Sequence, residues 1–189
     1  MKQLHFSIIL FCLLISNVSM ADGNEERKLS AFNRIIVGSQ VSVILIHADS
    51  NHITVGTDNI AFEDVITDVS NFTLTVKLKK QVANGGATVV IYYTEKLTEL
   101  ITEKGVNIVS QYSVYADKLS INTRLGGSVR IEVDASKIEI DAMNAQVVLW
   151  GSVKELYIRA SQNAFIDCTE LNYGSKNVVE SNSIVKLKE

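Results

Sequence analysis

The chain of 189 residues contains no proline, only two cysteines and only three histidines. Average usage of about 5% would give roughly nine prolines at this length. Their absence excludes a proline-rich linker, a collagen-like segment and a polyproline ligand. A net charge of -3 is too small, and of the wrong sign, for a nucleic-acid binder, which carries a basic surface. With 47% hydrophobic residues, that small charge also argues against intrinsic disorder. Gly-x-Ser-x-Gly, Gly-x-Gly-x-x-Gly and phosphate-loop patterns are missing as well. The length fits one domain, or one domain with a small appendage.

Residues 1–21 read as an address. Lys2 precedes an apolar run from Phe6 to Ile15, and Ser19 and Ala21 stand where a signal peptidase needs small side chains. The run falls well short of the ~20 residues that span a bilayer. A permanent anchor is the less favoured reading, and no second apolar run of membrane length follows in the mature chain. The expectation is export to the periplasm, the outer surface or the extracellular space. Cys12 would be lost with the leader, leaving Cys168 alone and unable to form an internal disulfide.

From Ile35 onward, apolar and polar residues alternate with the period of strands. Val41–Leu45 and Ile53–Val55 flank the polar stretch His47–His52 and predict a hairpin. Phe72–Leu78 and Thr88–Tyr93 predict further strands, while 63–69 and 95–104 carry mixed signals. The second half aligns with itself. Segments starting at Gly126, Asn144, Asn163 and Asn182 lie 18, 19 and 19 residues apart. Between them run Leu119–Ile121, Ile138–Ile140, Leu156–Ile158 and, less well matched, Val178–Val179. Gln111–Ala116 reads as a degenerate earlier member. A unit of two short strands and two turns in 18–19 residues cannot bury a face alone, so successive copies must stack. Gly and Asn at the shared turn position suit a left-handed backbone. The pattern predicts an all-β fold, a right-handed parallel β-solenoid over 105–189, preceded by a β-strand and hairpin region over 22–104. A β-sandwich is the alternative, because its strands and turns recur at similar spacing.

The register sorts side chains. With Val129 and Ile131 inward, Val147, Leu149, Ile166, Cys168, Val185 and Leu187 follow, and Cys168 becomes a buried apolar thiol. Val148 and Trp150 then point outward, where an apolar pair implies contact with the N-terminal strands, a second copy or a stacking ligand such as a glycan. Tyr157 and Arg159 point outward from the other strand set, with Asp141 one coil away from Arg159. These four, Val148, Trp150, Tyr157 and Arg159, are the candidate interaction surface. Glu132, Asp134, Glu139 and Asp141, close together in sequence, are the most serious candidates for catalysis, as paired carboxylates, and a solvated face is the plainer reading. The same acids lack the close spacing of a calcium loop. His47, Asp49 and His52 have the residue types of a metal site, but exposed turn residues are the commoner meaning. No catalytic, metal or cofactor site is predicted.

These segments together resemble the putative auto-transporter adhesin, head GIN domain family of exported bacterial proteins. Glu26–Val37 is similar to that family's opening charged residues, aromatic and strand; Val41–Leu45, Ile53–Asp58, Phe72–Val76 and Val89–Tyr93 continue the likeness. It covers about 26 to 188, with Asn replacing the family's usual turn glycines in three of the four copies. The resemblance implies a β-helix-like fold and an envelope or extracellular location. The function expected is that of a non-enzymatic binding or adhesion scaffold, with a protein or glycan partner at the envelope or with self-association. A carbohydrate-active enzyme using the outward carboxylates, and a purely structural envelope component, are the alternatives.

Overall fold

In a computed structural model, residues 23–189 are described, and the expected leader, with Cys12, lies outside them. The strands are β1 (Glu25–Lys28), β2 (Arg34–Val37), β3 (Val41–His47), β4 (His52–Asp58), β5 (Val65–Ser70), β6 (Thr73–Leu78) and β7 (Gly86–Tyr93). They continue with β8 (Glu99–Thr102), β9 (Asn107–Ser110), β10 (Val114–Arg124), β11 (Ser128–Met143), β12 (Gln146–Ser161), β13 (Phe165–Ser181) and β14 (Ile184–Leu187). Among the described residues the helical content is one 3-10 turn, Phe62–Asp64. The architecture is a β-solenoid: β10 to β14 wind in parallel, each pairing with the next, with one register shift between β12 and β13.

Each coil has three faces, one more than the sequence pattern predicts. Face A carries 118–124, 137–143, 155–161 and 175–181. Face B carries 107–110, 128–131, 146–149, 165–168 and 184–187. The third, face C, is only three residues wide: Val114–Ala116, Val133–Ala135, Gly151–Val153 and Leu171–Tyr173. Gln111–Ala116, expected as a degenerate earlier member of the repeat, instead ends in the first strand of face C. The long strands β11, β12 and β13 bend around corners rather than running straight. One such corner needs Gly151, whose φ is +103° and where a Cβ would overlap the carbonyl oxygen of Val133.

The turn from face A to face B uses the expected residues: Gly126, Asn144, Asn163 and Asn182 all have positive φ. Their backbones bond from coil to coil, Gly126 N–H to Asn144 O at 2.6 Å and Asn163 N–H to Asn182 O at 2.6 Å. The fourth copy fits poorly by sequence for a physical reason. Val148 pairs with Asp167 but Trp150 with Glu170, so Thr169 is an extra residue in a bulge. Its N–H and hydroxyl both donate to Asp167 Oδ1, at 3.1 and 2.7 Å. Downstream, Val178 consequently lies beside Ile158 and Lys176 takes the place beside Leu156.

Stacking places like on like in the core. One column on face A reads Leu74, Ile35, Leu100, Ile121, Ile140, Ile158, Val178, and all but the last are buried. The next reads Val37, Thr102, Thr123, Ala142, Ala160, Glu180. Thr102 and Thr123 are buried, and their hydroxyls bond each other at 2.7 Å. Gly127 leaves room for this pair, since a Cβ there would press on both oxygens. On face B, Cys168 is buried as expected, and burial pushes its thiol up to about 12, which keeps it protonated and inert.

The predicted hairpin across His47–His52 does not form. β7 lies between β3 and β4, parallel to β3 and antiparallel to β4. Its Val89 and Ile91 are matched by Val43 and Leu45 on one side and by Val55 and Ile53 on the other, so both apolar strands gain a longer partner than each other. The true hairpin is β5–β6, turned by Asn71 and Phe72 at positive φ. Arg27 on β1 closes this N-terminal end, donating to Val65 O at 2.6 Å and Thr67 Oγ1 at 3.2 Å on β5 and to Phe62 O of the 3-10 turn at 2.8 Å.

Candidate functional site

Face A is the widest, and the parallel register turns its outward residues into columns. One column is Glu99, Ser120, Glu139, Tyr157, Asn177; its neighbour is Ile101, Asn122, Asp141, Arg159, Val179. Adjacent coils in a parallel sheet stand about 4.8 Å apart, so side chains from four coils form one continuous surface. From Ser120 and Asn122 to Asn177 and Val179 the two columns line a groove of about 420 Å³. A second, more apolar hollow of about 520 Å³, bordered by Ile101 and Leu125, shares Asn122 with it.

Charges in and beside the groove are paired by neighbours on face A. Glu139 is held by Lys118 and Lys137, each at 2.8 Å, and these bonds pull its carboxyl below the usual carboxylate range. Glu139 in return holds Lys137 protonated above its ordinary range. Asp141 meets Arg159 at 3.4 Å, the pair that the register predicts. Glu99 is bound by Arg34 at 2.6 Å and accepts from Asn122 Nδ2 at 3.1 Å. Tyr157 is 39% exposed, with the Lys137 ammonium 4.3 Å from its ring centroid. The result is an aromatic ring among amides, a hydroxyl and paired charges, close to neutral as a whole.

The four candidate interaction residues do not share a surface. Tyr157 and Arg159 line the face A groove. Val148 and Trp150 are half-buried away from that groove: Val148 on face B stands between Arg130 and Asp167, and Trp150 at the corner between faces B and C stands between Glu132 and Glu170. The hollow beside Trp150 is about 160 Å³. Ser120, Asn122 and Asn177 join the groove without having stood out in the sequence; only the coil-to-coil register brings them beside Tyr157 and Arg159.

The carboxylates are divided too. Glu139 and Asp141 are on face A, Asp134 is on face C and Glu132 lies at the corner between faces B and C. A general acid needs a raised pKa, and Glu139 is shifted the other way. His47 packs edge-on against Tyr93 at 5.5 Å, and His52 stacks on Tyr92 at 4.0 Å. Consecutive residues of a strand face opposite sides, so the two histidines are drawn apart. Among the described residues, no three His, Cys, Asp or Glu side chains gather as a metal site, and no helix is long and apolar enough to cross a membrane.

Residues 31–183 match the family described as putative auto-transporter adhesin, head GIN domain, and the chain belongs to it. No curated protein matches the chain. Among solved structures, a putative adhesin from Bacteroides fragilis is similar, with a TM-score of 0.77 and 18% identity over 85% of this chain and 76% of that one. A putative adhesin from Parabacteroides merdae has a TM-score of 0.70 and 14% identity, covering 88% of this chain and 96% of its own. A putative lipid binding protein from Parabacteroides distasonis has a TM-score of 0.65 and 17% identity over 84% and 78%. At these identities the likeness is one of fold.

Proposed function

We propose that this member of the head GIN domain family is an exported, non-catalytic binding scaffold, and that the face A groove is its contact surface for a glycan of the cell envelope or of a neighbouring cell. The observation that carries this reading is the groove's make-up: Tyr157 offers a stacking ring, Asn122 and Asn177 offer amides, and Glu139, Asp141 and Arg159 have their charges already paired. A hydroxyl-rich, uncharged ligand can bond these groups without separating the ion pairs, and a sugar's apolar face suits an aromatic ring. Export is supported by the leader pattern of residues 1–21 and by the family's description as an adhesin. Periplasm, outer surface and extracellular space all fit.

The test is titration of the purified protein with neutral and acidic envelope polysaccharides, beside Tyr157→Ala and Asn122→Ala variants. Neutral polymer should bind, and loss of the ring should weaken it by about tenfold or more, with the far-UV spectrum unchanged. Binding indifferent to both substitutions would remove face A from consideration. Release of new sugar ends, abolished by Glu139→Gln or Asp141→Asn, would favour the enzyme reading instead.

A further inference from the structure

The two ends of the solenoid differ. The N-terminal end is bounded by antiparallel strands, with Arg27 joining β1 to β5. At the other end, among the described residues, no strand pairs beyond 175–181 or beyond β14. Val179 and Ile184 there are 61% and 57% exposed, and the core-side Tyr173, Val178, Val185 and Leu187 are only half-buried. Two core columns end in charges: Lys176 follows Leu156, and Glu180 follows Ala160.

The order of those residues is self-complementary. An antiparallel pair of 175–181 strands centred on Val178 sets Lys176 opposite Glu180, Glu180 opposite Lys176 and Val178 against its own copy. Ser175 then faces Ser181, and Asn177 faces Val179. The two-fold axis of such a pair passes through the middle of face A, perpendicular to the solenoid, and so exchanges faces B and C. Val185 and Leu187 of one copy would come over Leu171 and Tyr173 of the other, apolar against apolar. Tyr173 is already fixed for this by its hydroxyl, which donates to Lys188 O at 2.6 Å and lies 3.2 Å from Lys176 Nζ.

We infer that the open C-terminal coil is a docking surface for a second copy of this chain, giving a two-fold dimer in which Lys176 and Glu180 pair reciprocally. Isologous two-fold contacts are the commonest way that soluble proteins associate. The dimer closes strand edges that otherwise stay open to pairing, and it leaves the face A grooves of both copies on one side of the assembly.

Sedimentation of the purified protein over a wide concentration range tests this. The unaltered protein should show reversible dimerisation. Lys176→Glu and Glu180→Lys each place like charges opposite one another and should weaken it by about tenfold or more. The combined swap, Lys176→Glu with Glu180→Lys, restores every opposite-charge pair across the axis and should restore the dimer, which a merely misfolded coil would not do. A protein that stays monomeric throughout would overturn the inference; inward charges would then be blocking the edge, and Lys176→Leu with Glu180→Ala would create association instead. Dimerisation indifferent to both single reversals, or not rescued by the swap, would also overturn it.

Discussion

Among the described residues, Thr102 and Thr123 are the two buried polar side chains of the core, and their hydroxyls bond only 2.7 Å apart in a column that continues as Ala142 and Ala160. Thr123→Ala removes a methyl group, about 0.8 kcal/mol of burial, and strands the Thr102 hydroxyl, about 1–3 kcal/mol. Each single alanine should therefore cost about 2–4 kcal/mol. The double variant loses two methyls and one net hydrogen bond of about 0.5–1.5 kcal/mol, but strands nothing, so it should cost only about 2–3 kcal/mol. The two singles would then sum to more than the double by at least about 1 kcal/mol, as expected for groups in contact. Urea unfolding followed by Trp150 fluorescence and by far-UV circular dichroism measures this, with coincident transitions as the check that a single free energy applies. Costs that add to within about 0.5 kcal/mol would refute the idea that the hydroxyls satisfy each other.

Gly151→Ala should be more damaging than an ordinary surface change, because the left-handed backbone costs about 1–2 kcal/mol and the new Cβ meets the Val133 carbonyl. A fall in the urea midpoint with little change in slope would register it. Glu139 supplies a pH dependence: its folded pKa is depressed, so its stabilisation is present above the unfolded value of about 4.3 and is lost as pH falls through the lower folded value. The stability gap between the wild type and Glu139→Gln should thus shrink as the solution is acidified through that range, and a gap that widened would contradict the Lys118 and Lys137 pairing.

The repeat was legible because it rests on single-residue requirements. Gly126, Asn144, Asn163 and Asn182 mark turns that need positive φ, and the alternation around Val129, Val147 and Ile166 fixes what faces the core. Face C escaped notice for a physical reason. Three residues such as Val133–Ala135 or Gly151–Val153 are too short to show a period, and they continue long strands around a corner. The β3–β4 hairpin that the sequence predicts is replaced by a third strand, β7, that pairs with both, which sequence proximity does not reveal. Of the binding surface, Tyr157 and Arg159 announced themselves as outward residues, whereas Ser120, Asn122 and Asn177 became meaningful only as members of columns. Trp150, conspicuous as the single tryptophan, stands at the corner of faces B and C, away from Tyr157.

The coil-to-coil register makes the protein a ruler. Ser128 aligns with Gln146, so residues 128–145 form one removable period: without them Gly127 would lead into Gln146 and the core columns from that point on would still meet. Face A would shorten by one step of about 4.8 Å, losing Glu139 and Asp141 and bringing Tyr157 and Arg159 directly beside Ser120 and Asn122. Length of reach in such a molecule is therefore inherited in whole steps, while the identity of what is held changes one column at a time.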